Sequence, residues 1–205
     1  MAAPITHIVL ANKVFSKEFP LFSREKFFVG TSFPDIRYLG VIERSKTHFT
    51  SPLLADIKKE NDAQAGMMFH SFVDGVREKV LKEAGIYKMI PKNGISIQTL
   101  KLLEDEVLYN KIEDWKVIAS YFDSILAEEL AYPIGEDSIK RWHNALQHYF
   151  VEGPNAGSRK VLFTEMNFSD ENTFETEEIL AEMRQNDKII DMINDFYNKF
   201  GEKIN

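Results

Sequence analysis

Apolar residues recur at helical spacing along most of the chain, and no stretch alternates with the period of two that marks a half-buried strand. Between residues 62 and 83, Met67, Met68, Phe69, Phe72, Val73, Val76, Val80 and Leu81 fall at helical intervals, and Gly85 supplies a stop. The same spacing predicts helices over 5–17, with Thr6 as N-cap after Pro4, over 22–31, and over 96–110 with Ser96 as cap. Four more follow at 114–131, 136–151, 173–184 and 187–201. Pro34 pushes Phe33 out of the helical region, so SFPDI reads as irregular chain. EGPNAG at 152–157 and the polar run at 167–172 are the two main breaks, and the second would set 173–205 apart as a C-terminal helical appendage. The expected fold is a single all-α, multi-helix domain.

Composition narrows the partners. A chain of 205 residues, 44 % hydrophobic and with 16 Phe, can bury a sizeable core. Its net charge of -7 offers no general positive field, which argues against long nucleic acid as a partner. Without cysteine, any metal site must be built from imidazole and carboxylate. The opening MAAPITHIVLANKVF has neither a basic leader nor a sustained apolar run, so the expectation is a cytoplasmic chain with no secretory signal and no transmembrane segment.

Candidate chemistry gathers near the N-terminus. His7, His48 and His70 are three of five histidines, interleaved with Asp35 and Asp74. His70 and Asp74 are four apart on a predicted helix, so they project from one face a turn apart and can reach one ion. Taken alone, such a pair is also an ordinary i,i+4 surface contact. Phe69, Phe72 and Val73 make that helix apolar over much of its circumference, however, and a buried carboxylate needs a compensating partner. Asp35, after Pro34, also fits a turn aspartate, and His48 a core histidine bonded to a carbonyl. His143 and His148 are five apart, about 140° around a helix, which is poor for a shared ion. They read as one core-edge and one partly exposed histidine. Glu104, Asp105 and Glu106 read as a solvated helix face, with Asp105 or Glu106 the alternative carboxylate donor to the site.

The residues also carry a family pattern. TH at the start of an apolar helix, then FVGTSFPDI, THF and a helical HxxxD occur in that order over roughly residues 5–76. Together they resemble the zinc-dependent phospholipase C and single-strand nuclease superfamily, all-α proteins with a metal cluster between helices. The resemblance implies that Asp35, His48, His70 and Asp74 are zinc ligands, with Asp74 bridging toward a second ion that His7 helps to hold. It departs from the family after HxxxD, where GVREKV carries Arg77 and no His, so one or two ions are expected rather than three. In that chemistry Asp35 orients or deprotonates the attacking water, and Arg37, Arg44 and Lys46, lying between two ligands, contact the phosphate. The substrate would be a phospholipid head group or another small phosphoester. Phe27, Phe28 and Tyr38 are candidates for membrane adhesion, with core packing the competing use. The alternative is a non-catalytic helical metal-binding or interaction module with an incomplete site. HD-type phosphohydrolases need an adjacent His-Asp dipeptide, which the chain lacks.

Overall fold

The computed structural model describes residues 3–204, which form a single all-α domain with no strand. The helices are α1 (Pro4–Glu18), α2 (Arg24–Ser32), α3 (Arg44–Thr47), α4 (Leu54–Ile57), α5 (Asp62–Ala84) and α6 (Ser96–Leu108). They are followed by α7 (Trp115–Ser120), α8 (Ala127–Leu130), α9 (Glu136–Glu152), α10 (Ala156–Glu165), α11 (Asp170–Met183) and α12 (Asp187–Lys203). Among the described residues no helix is long and apolar enough to cross a membrane.

The long helix α5 organises the domain. Asn61 caps its start by accepting from the Gln64 N–H at 3.0 Å, and Gly85, at φ 78°, ends it in the left-handed conformation that glycine adopts without strain. Helix α2 crosses α5 at backbone contact. A Cβ on Gly66 would collide with the Phe27 carbonyl oxygen, and one on Gly30 with that of Ala63, so two glycines allow the approach. Around this crossing lies a cluster of aromatic rings: Phe19 and Phe27 are 4.6 Å apart, Phe27 and Phe69 5.5 Å, and Phe69 and Phe200 6.4 Å. Phe27 and Phe28 belong wholly to this core and so are not available to a membrane.

Helix α1 begins at Pro4 without a cap from Ala3, and Thr6 lies inside it rather than capping it. Asp105 of α6 does the capping instead, accepting from the backbone N–H of Thr6 at 2.7 Å, of Ile5 at 3.3 Å, and from the Thr6 hydroxyl at 2.7 Å. The acidic run on α6 is therefore not a solvated face. Glu104 is buried and pairs with the buried Arg77 of α5, Nε to Oε2 at 2.6 Å. Glu106 receives Arg159 at 2.6 Å and also Arg184, while Arg159 reaches Glu177, so α6, α10 and α11 are joined by one network.

Two other expectations are corrected. The predicted helix over 114–131 divides into α7 and α8, because the Asp123-Ser124 turn is held by Gln147, which donates to the Ala119 carbonyl at 3.1 Å and to Asp123 at 2.7 Å. EGPNAG does break the chain, between α9 and α10, but the spacing does not predict α10 itself, which the break caps: Asn155 Oδ1 accepts from the Gly157 and Ser158 N–H groups, and Ser158 Oγ accepts from the Asn155 N–H. Helix α11 packs on α6, and α12 on α1, α5 and α6, burying Ile189, Ile193, Phe196 and Phe200.

Candidate metal centre

Segments of the N-terminal part converge on one buried polar cluster. After α2, Pro34 helps turn the chain into a 3-10 run, Phe33–Leu39, which carries Asp35 inward and closes at Gly40, φ 74°. Thr47 at the end of α3 donates its hydroxyl to the Pro34 carbonyl at 3.1 Å, tying His48 to the Asp35 turn. Helix α5 supplies His70 and Asp74, and the first turn of α1 supplies His7.

The five side chains converge. His7 Nε2 lies 3.4 Å from Asp74 Oδ1, and His70 Nε2 lies 3.8 Å from Asp74 Oδ2 and 3.9 Å from Asp35 Oδ1. His48 Nε2 is 3.9 Å from Asp35 Oδ1. The His7 and His70 rings stack with centroids 3.8 Å apart, and His48 meets His70 edge-on at 4.9 Å. Most of these separations exceed a good hydrogen bond. They are close to the spacing of about 3.4 Å between donors that surround one ion at about 2.0–2.2 Å each. His7, His70 and Asp74 form one group able to hold a metal ion, and Asp35, His48 and His70 another.

The tautomers suit that use. His70 Nδ1 is 2.9 Å from the Thr31 carbonyl, an obligate acceptor, so Nδ1 carries the proton and Nε2 turns its lone pair toward Asp35 and Asp74. His48 Nδ1 is 3.1 Å from the Thr47 hydroxyl, whose own proton goes to Pro34, so its Nε2 is likewise the bare nitrogen. Among the described residues, both nitrogens of His7, Nε2 of His48 and His70, and Oδ1 of Asp35 are buried and make no hydrogen bond. Each such atom costs about 1–3 kcal/mol if nothing meets it, and a cation would meet the lone pairs among them, one from each imidazole. Because His70 has one bare nitrogen, the two groups cannot be two complete and separate sites. The Asp74 carboxylate, one oxygen toward His7 and the other toward His70, links them.

Electrostatics set the protonation states. Burial, then the charge of His70, pushes His48 down to about 3; burial, then the charge of His7, pushes His70 down to about 4. Both imidazoles are neutral near pH 7, the form that ligates metal. Burial alone would raise the Asp74 carboxyl, but the His7 and His70 imidazoles outweigh it and hold Asp74 well below the usual carboxylate range.

The expected phosphate contacts divide. Arg37 Nε is 3.7 Å from Asp35 Oδ1, its guanidinium 4.0 Å over the Tyr38 ring. Arg44 Nη2 is 3.7 Å from Asp74 Oδ2 and its side chain is 53 % exposed, so it reaches the cluster from the surface. Lys46 is exposed on α3, and among the described residues no side-chain contact ties it to the site. His148 is exposed. His143 is fully engaged elsewhere, with Nε2 2.8 Å from the buried Glu129 and Nδ1 3.2 Å from the Phe122 carbonyl. Sequence reasoning missed Thr31 and Thr47 as orienting groups and Lys101 as a buried cation; only Thr47, next to His48 in THF, left a trace in the pattern.

No family model, no curated protein and no solved structure matches this chain.

Proposed function

We propose that the chain is a metal-dependent phosphoric ester hydrolase acting on a phospholipid head group or another small phosphoester. The observation that carries this reading is the cluster of buried imidazole and carboxylate donors with bare atoms close to one another and the tautomers of His48 and His70 fixed from behind. The donor set fits zinc: borderline nitrogen ligands, two carboxylates and no thiolate. Asp35, His48, His70 and Asp74 would hold one ion, and His7 with the far oxygen of Asp74 would help to hold a second. Such an ion, when bound, supplies Lewis acidity and a water that loses its proton near neutral pH.

The rest falls to the protein. Asp35 orients the attacking water and takes its proton, Arg37 keeps the Asp35 carboxylate in position, and Arg44 at the surface neutralises phosphoryl oxygens as the ester enters. The net charge of -7 favours small esters over a polyanionic strand. The ordered motifs over residues 5–76, which resemble the zinc-dependent phospholipase C and nuclease superfamily, support the same reaction class.

The test is a metal analysis of the purified protein alongside hydrolysis of a chromogenic phosphodiester and of a short-chain phosphatidylcholine. Near-stoichiometric zinc, and its loss together with turnover in His70→Ala and Asp74→Ala, is the expected result. Absence of any divalent metal after zinc reconstitution would sink the metal reading. Stoichiometric metal without turnover would favour the second reading, a non-catalytic metal-binding module, for which the Arg77–Glu104 pair one turn beyond Asp74 speaks.

A further inference from the structure

The three imidazoles of the cluster are not held alike. His48 and His70 are each fixed through Nδ1, by the Thr47 hydroxyl and the Thr31 carbonyl. Neither nitrogen of His7 makes a hydrogen bond, so no directed side-chain contact sets its angle. Its ring lies on that of His70, with 3.8 Å between centroids and 14° between planes. Stacking limits the tilt of the ring but aims neither nitrogen. The position of His7 Nε2 is therefore decided by where the backbone of α1 places residue 7. That backbone depends on another helix. Pro4 has no N–H, and the His7 N–H goes to the Ala3 carbonyl at 3.1 Å. The two remaining donors of the first turn, the Ile5 and Thr6 N–H groups, both end on the Asp105 carboxylate, at 3.3 and 2.7 Å, and the Thr6 hydroxyl adds a third bond at 2.7 Å. Ala3 supplies no side-chain cap, and Asp105 is fully buried on α6.

We infer that Asp105 is the positioning residue for the second ion: by fixing the first turn of α1 it holds His7 Nε2 opposite Asp74 Oδ1, 3.4 Å away. The inference rests on the metal reading and deepens it, because it assigns the occupancy of the His7 side of the centre to α6, a helix that donates no ligand. The donors of the first ion have supports of their own. Thr47 ties His48 to the Asp35 turn through the Pro34 carbonyl, and Thr31 holds His70 on α5. Loss of Asp105 should therefore divide the two ions rather than weaken both.

Zinc is the probe, titrated into the isotope-labelled full chain and followed through the ring-nitrogen NMR resonances, which report each histidine separately. In wild type the Nε2 resonances of His7, His48 and His70 should all move. In Asp105→Ala, His48 and His70 should respond at wild-type zinc concentrations, while His7 should need about 10- to 100-fold more, the scale on which orienting groups act on metal affinity. Asp105→Asn, which keeps an oxygen for Thr6 but turns an amide toward Ile5, should fall between the two, and it carries the test if the alanine protein does not fold. Adding either substitution to His7→Ala should leave the His48 and His70 responses where His7→Ala alone puts them, since Asp105 acts through His7. A His7 response equal to wild type in whichever variant folds overturns the inference and leaves the metal reading standing. So does a loss shared equally by His7, His48 and His70, which would make Asp105 a support of the fold at large. A wild type in which zinc moves His48 and His70 but never His7 also overturns the inference alone. Wild-type histidines that ignore zinc altogether overturn the metal reading and the inference together.

Discussion

At His70 one hydrogen bond decides what the side chain can do. With Nδ1 held by the Thr31 carbonyl, the ring cannot rotate or change tautomer without breaking a buried contact, and Nε2 stays directed at Asp35 and Asp74. His48 has the weaker version of the same arrangement, through the Thr47 hydroxyl. Thr47→Val keeps the shape but removes that acceptor, so zinc affinity measured by chelator competition should fall about 10- to 100-fold with the fold intact; unchanged affinity would mean that Thr47 does not orient His48. Asp105 is a second residue with consequences of its own. Burial, against its bonds to Thr6 and Ile5, pushes its carboxyl up to about 7, whereas in the unfolded chain it titrates near its ordinary value of about 3.9. Between those values the folded protein holds a proton that the unfolded chain has released. Stability from this group is therefore fully present below about pH 4 and is lost as pH rises through about 7. Asp105→Asn keeps an oxygen toward Thr6 and cannot ionise, so its melting temperature should depend less on pH than that of wild type between pH 5 and 8; parallel curves would show that Asp105 does not titrate there. The five converging side chains were legible as candidates because histidine and aspartate advertise their chemistry by type. Their supports were not: the Thr31 carbonyl is backbone and leaves no mark in a sequence, and nothing in LLEDEVL distinguishes a carboxylate that caps a distant helix from one facing water.

At the scale of elements, the crossing of α2 and α5 sets the geometry of the centre. Thr31 and the Asp35 turn follow from α2, His70 and Asp74 ride on α5, and Gly30 and Gly66 let the two backbones touch. Two effects of Gly66→Ala oppose each other. Alanine favours a helix over glycine by about 1 kcal/mol, but a Cβ against the Phe27 carbonyl forces the helices apart, an overpacking that costs about 1–3 kcal/mol. The clash should win, lowering the melting temperature and stretching the His70–Thr31 bond so that zinc affinity falls as well; a variant that melts higher than wild type would contradict the close crossing. The helical pattern was readable for α1, α2, α5, α6, α9, α11 and α12 because each carries an apolar stripe that packing uses. It failed over 114–131, where apolar spacing continues through a turn fixed by Gln147 from another helix, and at α10, whose Asn155 cap looked like loop punctuation.

For the molecule as a whole, the centre is a place where the fold stores unmet polar groups, so its occupancy bears on stability. If an ion satisfies His7, His48, His70 and Asp35, zinc should raise the melting temperature, by an amount corresponding to about 2.7 kcal/mol at a concentration 100 times the dissociation constant. A chelator should reverse the rise, and His70→Ala should abolish it; an equal rise in that variant would assign the stabilisation to some other site. The last consequence concerns the span of sequence over which the centre is supported. All five donors occur within the first 74 residues, but α1 is capped by Asp105, and the Ser32 carbonyl just before the Asp35 turn accepts from Trp142 Nε1 at 3.2 Å. A chain leaving the ribosome therefore exposes every donor before Asp105 and Trp142, which hold the start of α1 and the Asp35 turn, have been made, for on the order of ten seconds at about 5–20 residues per second. During that interval a metal could be captured only loosely, by a peptide, and the selectivity that comes from a rigid cavity would begin with the arrival of α9.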